Sequence, residues 1–408
     1  MPIAILDGVG GANGGGGGES AELLDKLIDG SIEGNITSNV ATIRPYAFHE
    51  CTRITSVSLP NVTKITNSAF SNCDILTTVN IPKATSIGTR AFYACFDLTS
   101  ADFPLVTSIG GYAFNECADL TSVNFPVAKS VGTYAFYGIR KLTTANLPMV
   151  TTIDTYAFYG CTKLTSVNFP LATSLGSSAF QGCTGFTSLS FPLATSIESY
   201  TFRNCTNLTS VDLPLATSIG SSAFNGCSSL TSVNIPLTTS IESSAFNGCS
   251  SLTSVDLPLA TSLGTGSSLS NCHSLTTANV PSASSLSSAT FRNDYSLVKV
   301  IFGTKQTTVA KMYAANTFDG CSHILGTVDE TYNPDGSKDG YIYVPASLVA
   351  DYRIATNWAK YASQIMPWVA TVEELANIDG TTYDHACVGE GVDSVEYAYD
   401  GTTWEVFR

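Results

Sequence analysis

Apolar positions along this chain recur at a long fixed interval rather than with the short period of a single helix or strand. Phe48, Phe70, Phe92, Phe114, Phe136, Phe158, Phe180, Phe202, Phe224 and Phe246 follow one another every 22 residues, and Pro60, Pro82, Pro104, Pro126, Pro148, Pro170, Pro192, Pro214, Pro236 and Pro258 keep the same step. The step slips by one at Leu269, beside the small residues 264–268, and resumes at Phe291. Within a unit, Leu164-Thr165-Ser166-Val167-Asn168-Phe169 alternates, which predicts a strand with Val167 inward and Ser166 and Asn168 outward. Pro170 removes a backbone donor and ends that strand. The return leg brings Leu175, Ala179 and Phe180 back inside. One such unit cannot bury its own apolar face, but stacked neighbours make a continuous core.

The repeated unit, AFxxCxxLTSVxLPxATSIG, resembles the BspA-like subclass of bacterial leucine-rich repeats over roughly residues 41–345. The resemblance implies a repeat solenoid: a right-handed leucine-rich-repeat array with a parallel β-sheet on its concave face, and a binding or adhesive role. The ends depart from the interval as capping units do. Residues 1–18 are a glycine-rich N-terminal segment, and 19–43 hold a helical N-cap with Leu23, Leu24, Leu27 and Ile28 on one stripe and Gly30 as its stop. Repeats fill 44–302. An irregular last repeat spans 303–368, with a turn inserted at Asn333-Pro334-Asp335-Gly336, a strand over 341–344 and an amphipathic capping helix over 346–365. Residues 369–408 read as a small acidic β-rich appendage with turns near Asp379-Gly380 and Asp400-Gly401. This tail also resembles short C-terminal modules of tailed-phage tail-associated proteins.

Only 13% of the chain is Asp, Glu, Lys or Arg, about half the usual share, and hydroxyl, amide and glycine residues take their place. The net charge of −14 sits at the ends. Residues 1–43 carry six acids against one base and 319–408 carry fifteen against four, whereas 44–318 carry twelve acids and fourteen bases. No basic stripe exists for nucleic acid. No apolar run is long enough to insert in a membrane, and the N-terminus lacks the basic start of a signal peptide.

Ten of the twelve cysteines share one repeat position (51, 73, 95, 117, 161, 183, 205, 227, 249 and 272), and Ile139 fills the missing rung. A position that accepts Ile is buried and apolar, so the thiols read as small hydrophobes rather than a disulfide or metal ladder. No spacing suits zinc, and no cofactor or metal is expected. The pair His385 and Cys387 in an acidic tail is too sparse for a nucleophile and base, the histidines at 49, 273 and 323 are scattered, and no catalytic residue is assigned.

Two surface columns remain. Asn80, Asp102, Asn124, Asn146 and Asn168 face outward from the sheet, either to hold a long repetitive ligand or as a cross-strand ladder that stabilises the sheet. The second column carries the better candidates. Tyr112, Tyr134, Tyr156 and Tyr200 replace the Ser of other units, and Tyr93, Tyr137 and Tyr159 share the position three residues further along. Tyr93, Tyr112, Tyr134, Tyr137, Tyr156 and Tyr159 fall in consecutive coils beside Lys129, Arg140, Lys141 and Lys163, and form one aromatic edge. Such an edge is either a contact surface for sugars or proteins or a tyrosine ladder packed along the rod. The expected function is therefore a non-enzymatic binding scaffold. Its first form is a phage tail or baseplate component that recognises a glycan or protein on a bacterial surface, carried in the virion and made without a signal peptide. The alternatives are a bacterial cell-surface adhesin and a self-assembling homo-oligomeric rod.

Overall fold

A computed structural model describes residues 32–303, 306–325, 331, 336–389, 394–399 and 402–407. The glycine-rich segment, the helical part of the N-cap, residues 333–335 of the inserted turn and the Asp400-Gly401 turn lie outside the described residues. The chain forms two compact units, the first running to Thr187 with Phe191–Ala194, the second taking Ser188–Ser190 and everything from Thr195. Each is a parallel-strand β-solenoid.

In the first unit, three-residue strands pair in parallel one repeat apart: Ser100–Asp102, Ser122–Asn124, Thr144–Asn146 and Ser166–Asn168 form one sheet. Their register is the sequence interval itself, Ala145 opposite Val123 on one side and Val167 on the other. Val123 and Ala145 are buried while Val167 is only half-buried. A second run of two-residue strands, Lys64–Ile65 through Ser174–Leu175, lines the other side of each coil. Between the runs the phenylalanines stack. Phe114 and Phe136 lie 5.3 Å apart and Phe136 and Phe158 5.0 Å, all fully buried. Each buried ring contributes ~1.5–3 kcal/mol of transfer free energy.

The second unit repeats this plan and then departs from it. The one-residue slip is absorbed at the corner, where the Phe246 amide donates to Ser268 O at 2.8 Å and Gly264 adopts φ 73°. Beyond it, Ser254 pairs with Thr277, a step of 23 residues. Phe318 and Cys321 restart the pattern: Phe318 stacks on Phe291 at 5.4 Å and the Cys321 thiol donates to Phe291 O. The expected capping helix over 346–365 is instead three pieces, a 3-10 helix at Ala346–Leu348, an α-helix at Val349–Ile354 and a second 3-10 helix at Ala359–Gln364. Asn357, at φ 66°, breaks it so that Trp358 turns inward, its indole Nε1–H donating to Ala310 O at 2.7 Å. Trp358, Tyr352 and Tyr361 close the core against Phe302 and Phe318.

The tail is β-rich, and its strands join an existing sheet. Ile365–Val369 pairs in parallel with Tyr341–Pro345 and His385–Val388, and Val395–Tyr399 and Trp404–Val406 add antiparallel. These strands extend the sheet that begins at Ser254–Asp256. No helix among the described residues is long and apolar enough to cross a membrane.

Candidate aromatic binding edge

Each coil makes two left-handed backbone turns. In the first unit the second turn falls on glycine or asparagine in four of its six coils between residues 72 and 182: Asn72, Gly138, Gly160 and Gly182. Those residues suit that conformation. The first turn never uses glycine. It holds Tyr46, Ser68, Arg90, Tyr112, Tyr134, Tyr156 and Ser178, with φ between 51° and 63°. A bulky side chain there costs ~1–2 kcal/mol of backbone strain. The corner keeps its side chains at that cost, which marks it as a place where side chains matter.

Those side chains form a ladder. The rings of Tyr112 and Tyr134 stack 4.7 Å apart and those of Tyr134 and Tyr156 4.8 Å apart. Beside them Tyr137 stacks on Tyr159 at 4.9 Å, and tilted contacts at 5.3 Å and 5.7 Å tie the two columns together. Five of the six expected tyrosines are thus one continuous aromatic surface. Tyr93 is not in ring contact with them, because Asn115 occupies the rung between it and Tyr137. It is joined instead through Arg90, whose guanidinium lies 5.2 Å from the centre of the Tyr112 ring and 6.0 Å from that of Tyr93. The Tyr93 hydroxyl donates to Glu116. Tyr200 belongs to the second unit, with Arg203 over its ring at 5.5 Å. Desolvation, then the neighbouring phenols Tyr156, Tyr112 and Tyr137, push the Tyr134 phenol above its ordinary value.

The Asn/Asp column satisfies itself. Asn124 donates to Asp102 at 2.9 Å, Asn146 to Asn124 at 2.7 Å, Asn168 to Asn146 at 3.2 Å, and Asn80 to Ser58 at 3.3 Å. These amides brace the sheet, so a ligand at this face competes with bonds already made. The cysteine column is likewise structural. Every cysteine is a free thiol, and those at 73, 95, 117, 161 and 183 each donate to a buried Phe carbonyl at 3.0–3.1 Å. Burial pushes the Cys161 and Cys227 thiols up to about 12. Cys387 is buried too, its thiol directed at Ser394 Oγ and its pKa raised by desolvation. An open cleft of about 570 Å³ in the second unit is lined by Glu374, Asn377, Asp379 and Tyr383. Its carboxylates serve the local backbone and hydroxyls: Glu374 accepts from the Ala370 amide, and Asp379 from Thr381 and Thr382.

Two features were not foreseen. Arg90 belongs to the ladder, and its only sequence signal is that it shares the 22-residue register of Tyr112. After seven of the repeat prolines stands an exposed apolar residue, Leu105 (49% exposed), Val127, Met149 (45%) and Leu193 in the first unit and Leu215, Leu237 and Leu259 in the second. Its signal was present in the same register as the prolines.

The chain matches the BspA type Leucine rich repeat region (6 copies) over residues 31–138, 85–207, 129–238 and 195–325. No curated protein matches it. Among solved structures it is similar to a leucine-rich repeat protein from Bacteroides ovatus (24% identity, 84% of this chain and 92% of that one, TM-score 0.48). It is also similar to a leucine rich cell surface protein from Faecalibacterium prausnitzii (24% identity, 71% and 90%, TM-score 0.40). A third is the pneumococcal vaccine antigen PcpA (17% identity, 81% and 82%, TM-score 0.41).

Proposed function

Because this chain belongs to the BspA-type leucine-rich repeat family, we propose that it is a non-enzymatic binding scaffold displayed at a bacterial surface, which engages a protein or glycan through the tyrosine ladder. The observation that carries this is the stack of Tyr112, Tyr134 and Tyr156 at a strained corner whose other occupants in the same unit are Tyr46, Ser68, Arg90 and Ser178. Rigid aromatic rings with hydroxyls at their tips give large contact area at low entropic cost. The polar column beside the sheet is already hydrogen-bonded to itself, which leaves the aromatic edge as the better surface. The family match covers the repeats and stops at residue 325. Residues 369–408, whose resemblance was one ground for the phage-tail reading, lie outside it, and the family membership supports surface display rather than assembly in a virion.

The test is saturable binding of labelled protein to bacterial cells and their isolated wall glycans, compared with a variant carrying Ser at 112, 134 and 156. Serine already occupies this corner at Ser68 and Ser178, so the variant retains the fold. Loss of binding supports the reading. Binding that persists unchanged refutes the ladder as the site, and absence of binding to every surface tried refutes the adhesive role.

A further inference from the structure

The tyrosine ladder has two ends, and they differ. At its N-terminal end the Arg90 guanidinium covers the outer face of Tyr112 at 5.2 Å. At its C-terminal end the two columns continue to Ser178 and Gln181, so no ring follows Tyr156 or Tyr159. Among the described residues no cation lies over either of these two rings. The facing rings of Tyr112, Tyr134 and Tyr156 cover one another, as do those of Tyr137 and Tyr159, while the rung before Tyr137 is Asn115.

Elsewhere the chain covers tyrosine rings with its own cations. Arg203 lies over Tyr200 at 5.5 Å, Lys311 over Tyr313 at 4.6 Å, Arg353 over Tyr383 at 4.9 Å and Lys360 over Tyr361 at 5.4 Å. The negative face of an aromatic ring attracts a cation, and guanidinium suits it because it is planar and weakly hydrated. Tyr156 and Tyr159 meet at an interplanar angle of 61° with 5.7 Å between centroids, so their outer faces form a shallow corner rather than a flat wall. The geometry points to an arginine-binding subsite: the Tyr156/Tyr159 step receives an exposed arginine side chain of a partner protein, as Tyr112 receives Arg90. This rests on the ladder being the binding edge, and it names what the edge reads.

The test uses the full chain and two blocked tripeptides, Gly-Arg-Gly and its citrulline counterpart, which keeps the shape of arginine and removes the charge. Affinities are read by ligand-observed NMR. The arginine peptide is expected to bind about twofold to fivefold more tightly, the range of an exposed cation–π contact. The double variant Tyr156→Ser with Tyr159→Asn recreates the pair this chain carries at Ser222 and Asn225, and at Ser244 and Asn247. It is expected to fold and to lose the preference. Ser178→Arg places the chain's own guanidinium one rung beyond Tyr156, and is expected to block the step with both tyrosines intact. Equal affinities for the two peptides overturn the proposal, as does a preference that survives in either variant. If cell binding depends on the tyrosines while the peptides bind equally, the subsite falls and the adhesive reading stands. If the arginine preference appears but cell binding ignores the tyrosines, the surface reading falls alone.

Discussion

Replacing Tyr134 by alanine and by glycine should reverse the usual order of the two residues. Both variants lose the ring contacts to Tyr112 at 4.7 Å, Tyr156 at 4.8 Å and Tyr137 at 5.3 Å. Aromatic pairs contribute ~0.5–1.5 kcal/mol each, and solvent-facing rings belong at the low end, so the common loss is about 1–2 kcal/mol. The variants differ in backbone. Tyr134 sits at φ 60°, a conformation that costs alanine ~1–2 kcal/mol and glycine almost nothing. In an ordinary strand or helix glycine is the worse residue by ~0.5–1 kcal/mol. At this corner Tyr134→Gly should be the more stable of the two by ~1 kcal/mol. Hydrogen exchange read by mass spectrometry on peptides covering 130–140 is the suitable assay. The Tyr134 amide donates to Thr155 O and the Phe136 amide to Ala157 O, so opening of this corner is reported locally. That avoids assuming all-or-none unfolding of a long repeat array. A difference of ~1 kcal/mol is about fivefold in protection. Protection in the alanine variant equal to or above that in the glycine variant would refute the strained-corner argument.

Two further outcomes follow from the shifted groups. With the Cys161 thiol pushed up to about 12 by burial, thiolate is almost absent near neutral pH, so alkylation of Cys161 in native protein should be negligible and become rapid in urea; ready modification of the native fold would contradict the buried ladder. The Tyr134 phenol is raised above its ordinary value of 10.0, so the folded state holds its proton more tightly than the unfolded chain, and the stability this contributes is complete below pH 10 and lost as pH rises through the folded value. A denaturation series from pH 9 to 12 should show stability falling from about pH 10, less steeply in a Tyr134→Ser variant; identical profiles would remove the phenol from the account.

The expected capping helix and the strand that follows it show where local pattern fails. Ile365–Val369 is paired on both sides although it carries Pro367, a residue that lacks a ladder donor and is normally confined to edges. Within residues 346–365 only Asn357 itself, a residue that tolerates the left-handed turn, hints at the break, which is fixed by the burial of Trp358 against Phe302, some 56 positions earlier in the chain. Both outcomes depend on partners remote in sequence.

The repeat interval, the inward phenylalanines, the strand-ending prolines and the buried cysteine column were all decided by the sequence alone. Ile139 in the cysteine column was enough to show that position apolar, and Cys117, Ile139 and Cys161 are all fully buried. Periodicity carries this information because each coil packs on a near-copy of itself, so one register decides every inward position. What the tyrosines do at the corner was decided only by the tertiary structure. The sequence places Tyr112, Tyr134 and Tyr156 in one column, but that they stack face to face, that Arg90 covers one end and that Tyr156 and Tyr159 leave the other open depends on the left-handed turn that directs each ring and on the rise between coils. The same holds for the Asn/Asp column, whose amides turn toward one another because the coils bring them within hydrogen-bond distance.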